Sequence, residues 1–438
     1  MTQETMEERF LYHIWDAGHM QNELRTVTGK SVQVKYQGQY NTNRGPDFRN
    51  ALIEISGELL RGDVEIHLNS NDWIAHNHHE DHYYNQVILH VVLNSNGKSQ
   101  TIKENGEAVE VLELKNQLSQ DIEKLLADQK LAERAEPSGY CDLLSAVDND
   151  TLVSILNFQG IQRFRSKVRR FNAMLSLSDF DQVLYEGIME ALGYDKNKLN
   201  MLSLAQALPL DKIKEWRDEG MTALDLISIY CCSSGLINRC KNLLKPEFYR
   251  ILVNAYEKQR FFARNLEIDW QLFRIRPANH PVYRLIAVSG LVFRTLDQGL
   301  LSYVLDNLPD IERNAKKAFA SFSKVFSDSV LPGTEHLPKP GRTVTANIYI
   351  NILLPLLALY YEKLSKHERA RQVVEMYSSF PSLQDNHITR FMARYLSPAQ
   401  QKIASSKCIH QQGLIDLFYR YCNYHLCQEC VSSRARNG

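Results

Sequence analysis

Residues 45–67, GPDFRNALIEISGELLRGDVEIH, decide the fold. From Asp63 to Leu68 an acid or imidazole alternates with an aliphatic side chain. The two-residue period of a strand predicts Asp63, Glu65 and His67 on one face and Val64, Ile66 and Leu68 on the other, toward a core. Asp47, after Pro46, falls at the start of what reads as the neighbouring strand, with a turn at Ser56-Gly57 between the two. Two acids and a nitrogen base on adjacent strands are the side chains that a metal-dependent phosphodiesterase needs.

Outward from this stretch, Phe10, Leu11, Ile14, Trp15 and Ala17 have helical spacing within residues 6–25. Strands are predicted at Ser31–Tyr36, Asn50–Ile55, Leu60–Leu68, Val87–Leu93 and, as an outer strand, Val109–Leu114. Asp72 is an N-cap for a short helix running to about Tyr84. Residues 117–135 read as a helix, and Glu136-Pro137-Ser138-Gly139 as a linker. Beyond Asp148 the pattern is helical, with Phe158, Phe164, Val168 and Phe171 as one apolar stripe and a Pro-rich loop over 328–344. The expected organisation is an α/β domain over 1–135, a linker over 136–147, a helical domain over 148–407 and a cysteine-containing tail over 408–438. The fold class is thus α+β followed by α-helical.

Bulk properties exclude several classes. In the 438 residues, 51 Lys plus Arg balance 51 Asp plus Glu, so no global basic field advertises a polyanionic partner. The most apolar stretch, residues 348–361 with Pro355 inside, falls short of the roughly 20 residues that span a bilayer and reads as a buried helix. The polar, acidic first ten residues carry no apolar signal region. The expectation is a cytoplasmic protein without a membrane partner, its eight cysteines held as thiols or metal ligands.

The order helix, three strands, helix, strand, with Pro46-Asp47 and Glu65-x-His67, resembles the PD-(D/E)xK nuclease superfamily, the restriction-endonuclease-like fold, over about residues 5–115. The resemblance implies that Asp47 and Glu65 bind a divalent cation and that His67 stands where the family has Lys. It also implies another acid on the first helix, for which Glu8 and Glu23 are available. Mg²⁺ takes oxygen ligands, and the carbonyl of Ile66 would join the two carboxylates. A bound ion polarises phosphate and lowers the pKa of a water. His67 departs from the family pattern: an imidazole is mostly neutral near pH 7 and suits a general base or a ligand for Mn²⁺ or Zn²⁺.

A histidine cluster follows in DWIAHNHHEDHYYNQVILH, residues 72–90. On one continuous helix, Asp72, His76 and His79 would share a face and His78 would pair with His82. With Asp63 as a third acid, His76 and His78 complete the candidate metal ligands. His90, inside an apolar strand, reads as a core histidine. The segment also resembles an uncharacterised bacterial family, number twenty-eight fifty-one of the domain-of-unknown-function series. That resemblance extends to the C-terminal cysteines and brings no established activity.

Two further motifs stand outside this unit. GIQRFRSKVRRFN sets Arg163, Arg165, Lys167, Arg169 and Arg170 on a helix as candidates for phosphate-backbone contact. In the tail, Cys422, Cys427 and Cys430 give C-x4-C-x2-C. With Cys408 or His425 as the fourth ligand they suit structural zinc or an iron–sulfur cluster; the nuclease resemblance also implies that one ligand can come from far upstream, which keeps Cys141 in view. The leading expectation is a metal-dependent nuclease using Mg²⁺ or Mn²⁺. Its alternatives are an inactive nuclease-fold scaffold that binds nucleic acid or protein, and a His-rich metal-dependent hydrolase of a small substrate. The sequence specifies neither the oligomeric state nor DNA against RNA.

Overall fold

The computed structural model describes residues 8–41, 44–119, 141–194, 196–259, 266, 268–308, 315–328, 331–424, 427 and 430. Most of the expected helix over 117–135, the linker residues 136–140 and His425 lie outside the described residues. Packing divides the chain into two compact units. The first comprises residues 1–163, 385–406 and 410–438, and the second residues 164–384 and 407–409. This division cuts across the linear boundaries read from the sequence.

Unit 1 is built on one mixed sheet. Its strands are β1 (Leu24–Arg25), β2 (Ser31–Tyr36), β3 (Gln39–Tyr40), β4 (Phe48–Ile55), β5 (Glu58–Asn69), β6 (Val87–Asn94), β7 (Gln100–Ile102) and β8 (Ala108–Glu113). The order is β1-β2-β4-β5-β6-β8-β7, with β3 paired to β4. β2, β4 and β5 form an antiparallel meander, whereas β5, β6 and β8 run parallel. β5 is therefore where the sheet changes from antiparallel to parallel pairing. The helix α1 (Glu8–Ala17) buries Phe10, Leu11, Ile14 and Trp15 in one apolar cluster with Phe48, Ile53, Val64, Ile66, Leu89 and Val91. Its Trp15 indole donates to the Gln37 carbonyl at 2.9 Å.

Two irregularities shape the centre of the sheet. Register shifts between Phe48 and Ala51, where Asn50 has φ 57°. This bulge re-aims neighbouring side chains, as bulges do. Gly62, buried on β5, sits against the next strand: a Cβ there would come within 2.6 Å of the Gln86 carbonyl and 2.3 Å of Ile88 Cγ2.

The helix expected from Asp72 to Tyr84 is broken. It is one turn of α-helix, α2 (Asp72–Ala75), then two 3₁₀ turns, His78–Glu80 and His82–Tyr84. Asn77 ends the first turn with φ 62°, a conformation that asparagine tolerates better than most residues. Periodicity could not show this, because the local polar pattern suits a helix or a set of turns equally.

A second apolar cluster in unit 1 gathers Leu144, Leu152 and Leu156 with Ile388, Met392, Leu414, Leu417 and Cys430. Unit 2 is helical. Its long helical stretch Arg342–Lys363 is apolar enough to cross a membrane, yet 78% of its most apolar window is buried inside the structure. A π-helical segment, Tyr349–Leu353, interrupts it immediately before Pro355. Proline has no N–H for the Asn351 carbonyl, which accounts for the wide turn. The Pro-rich loop is present between Asp328 and Arg342. Phe158, expected in the apolar stripe of the helix Asn149–Met174, is instead 55% exposed; Phe164 and Phe171 are buried.

Candidate metal and catalytic site

β4 and β5 bring the two predicted acids together. The Asp47 N–H donates to Glu65 Oε2 at 3.0 Å, and the Ile66 N–H donates to Asp47 Oδ2 at 2.9 Å. Glu65 Oε1 faces the other way, 3.1 Å from His78 Nε2 and 3.4 Å from His67 Nε2. Glu65 thus bridges an oxygen-rich side and a nitrogen-rich side. On the oxygen side, the Tyr12 hydroxyl on α1 donates to Asp47. Glu8, also on α1, is close enough to Asp47 and Glu65 to raise both carboxyl pKa values. Glu23 is exposed and lies outside α1, so Glu8 is the acid that α1 brings toward these carboxylates.

On the nitrogen side, ligand atoms of His67, His76 and His78 all lie within 4.8 Å of one another. Two residues apart on a continuous helix, His76 and His78 would point in nearly opposite directions. The left-handed turn at Asn77 removes that obstacle. His67 Nε2 is 3.1 Å from His76 Nδ1, and its Nδ1 is 2.8 Å from His90 Nε2. His78 is stacked between Tyr84 and His67, with ring centroids 3.8 and 5.2 Å away. Trp73 packs edge-on against it and donates its indole N–H to the Ile102 carbonyl. His90, fully buried, orients His67 from behind, the role of an outer-shell partner to a metal-binding imidazole. If His67 Nδ1–H donates to His90, the Nε2 lone pair faces the cluster.

Burial and mutual repulsion set the protonation states. Burial, with Glu65 as neighbour, pushes Asp47 up to about 8. Burial likewise pushes Glu65 up to about 8, with Glu8 adding to it. The imidazoles move the opposite way: burial brings His67 down to about 2, His90 to about 3 and His78 to about 4. Near neutral pH the site therefore holds protonated acids beside neutral histidines, the arrangement a cation would reverse for the acids and need not alter for those imidazoles.

Other sequence-predicted residues lie elsewhere. Asp63 is buried but turned to Arg49, whose Nε is 2.8 Å away, and it accepts the Asn50 N–H at 2.9 Å. It serves the bulge, not the histidine cluster. His79 lies beside Glu80, and His82 beside Asp81. Of the five basic residues, Arg163 donates to Gln412, Lys167 donates to Asn351, and Arg170 is paired with Glu190. Arg165 and Arg169 are exposed, Arg169 donating to Ser166. Cys408 is buried in unit 2, its N–H on the Phe380 carbonyl, whereas Cys422, Cys427 and Cys430 belong to unit 1. Sequence reasoning missed Tyr12 and Tyr84, which carry no motif.

A family model described as "Protein of unknown function (DUF2851)" matches residues 8–386. The chain belongs to this family. The matched DUF2851 residues contain every member of the site just described, while the C-terminal cysteines fall beyond them. No curated protein and no solved structure matches the chain.

Proposed function

We propose that this DUF2851 protein is a metal-dependent hydrolase that cleaves phosphodiester bonds of nucleic acid at a histidine-rich centre. The observation that carries this reading is the approach of His67 and His78 to Glu65, with His76 completing the imidazole trio and Asp47 and Glu8 near the same carboxylate. Imidazole donors favour Mn²⁺ or Zn²⁺ over Mg²⁺, which prefers oxygen and water. The ion supplies Lewis acidity toward a phosphate oxygen and a water of lowered pKa. Asp47, held on the Ile66 N–H and titrating near 8, suits proton transfer close to neutral pH. The antiparallel meander followed by a parallel strand, with acids on α1, β5 and just before β4, supports the nuclease-like comparison. Metal-stripped protein reloaded with Mn²⁺, Zn²⁺ or Mg²⁺ should nick DNA or RNA, and Asp47→Ala or Glu65→Ala should abolish cleavage. Cleavage that survives both substitutions refutes the proposal.

A second reading is an inactive scaffold of the same fold. It is favoured by His67, whose neutral imidazole cannot supply the positive charge of a lysine. Salt-sensitive nucleic-acid binding without cleavage, and without heat of binding for any divalent ion, would select it.

A further inference from the structure

We propose that Cys141, Cys422, Cys427 and Cys430 form one four-thiolate site holding an iron–sulfur cluster. The motif alone supplies three cysteines; the fold supplies the fourth from a position 281 residues upstream of Cys422. Cys430 is buried in the apolar cluster of unit 1, and Cys141 and Cys422 pack against that same cluster. The Cys430 N–H reaches the Cys427 carbonyl at 3.4 Å. The Cys422 thiol interacts electrostatically with all three of the others, and burial holds it far above its ordinary range. None of the eight cysteines is in a disulfide.

Four sulfurs gathered in apolar surroundings repel one another as thiolates unless a cation neutralises them. Zinc with bonds of about 2.3 Å draws its thiolates to about 3.8 Å apart. Among the described residues the histidine trio is the one three-donor group with ligand atoms all within 4.8 Å, so these sulfurs are more widely spread. A four-iron cluster places iron and sulfide between its thiolates and holds them further apart, which fits.

The site also has a place in the architecture of unit 1. Cys422 opens the turn Cys422–Tyr424, whose Tyr424 ring packs at a tilt against His13 of α1, centroids 5.1 Å apart, and donates its hydroxyl to Asp16. α1 carries Glu8 and Tyr12. The cluster would fasten the tail that supports the helix behind the catalytic carboxylates.

The test uses the full chain purified without oxygen, assayed for iron, acid-labile sulfide and visible absorbance, readouts independent of cleavage. About four iron and four sulfide per chain are expected. Cys141→Ser and Cys427→Ser should each lose most of both, while Cys408→Ser and Cys232→Ser keep them. Should the serine variants fail to fold, native alkylation mapped by mass spectrometry decides. Cys427 is exposed, yet it should resist alkylation until the iron is oxidised away, and then react together with Cys141, Cys422 and Cys430. Zinc in place of iron, full iron in Cys141→Ser, or prompt alkylation of Cys427 in iron-loaded protein would overturn the proposal.

Discussion

Metal binding at the histidine cluster should expel protons, and the number can be worked from the site. Asp47 and Glu65 each titrate near 8 in the metal-free protein. At pH 7 such a group is about nine-tenths protonated. A cation that requires both carboxylates ionised releases up to about 1.8 protons per ion, and one that engages only Glu65 about 0.9. His67 and His78 are already neutral and release none. Apparent affinity should therefore rise about 10-fold for one proton, or about 100-fold for two, between pH 6 and 7, and less steeply as pH approaches 8. Calorimetry with Mn²⁺ in two buffers of different ionisation heat counts the protons directly, and Asp47→Asn should reduce the count. The same shifts fix the sign for stability. A carboxyl whose pKa is raised on folding contributes stability that is full below about 4 and lost as pH rises through about 8. The melting temperature of metal-free protein should thus fall from pH 6 to 8.5, more in wild type than in Asp47→Asn, and saturating Mn²⁺ should reverse the trend. Zero proton release at pH 7, with affinity flat from pH 6 to 8, would refute the protonation states assigned to the site.

Removing the His78 imidazole (His78→Ala) should weaken Mn²⁺ or Zn²⁺ binding at least 10-fold by calorimetry, whereas His82→Ala, beside Asp81 and outside the trio, should leave it unchanged. Gly62→Ala places a methyl against Gln86 and Ile88 and should cost about 1–3 kcal/mol in urea unfolding. Arg170→Ala removes the cation paired with the buried Glu190 carboxylate and should cost about 3 kcal/mol. The exposed Arg165→Ala should change stability by less than about 0.5 kcal/mol, and a loss of nucleic-acid affinity in that variant alone would mark a basic contact surface.

Much of the sheet was legible because strand periodicity is short-range. β2 matches its expected limits, and β4, β5, β6 and β8 differ by one or two residues at their ends. β1, β3 and β7 have two or three residues, too few to display alternation. Asp47, Glu65, His67, His76 and His78 were singled out from the sequence on the assumption of one continuous helix, whereas the structure brings His76 and His78 together across a break at Asn77. Alternation also placed Asp63 beside Glu65, where the bulge at Asn50 hands it to Arg49. Tyr12, Tyr84 and the packing of Cys141 against the cluster that holds Cys430 depend on contacts between distant segments, which no local pattern encodes. The basic helix looked like a ligand surface because sequence shows its cations and not the Gln412, Asn351 and Glu190 that occupy three of them.

The discontinuity of unit 1 bears on how the molecule is made. Residues 385–406 and 410–438 complete a unit whose sheet lies in the first 115 residues, and all of unit 2 intervenes along the chain. During translation the sheet can pair its strands early, but the unit around it must wait for its last segments while more than 200 further amino acids are polymerised.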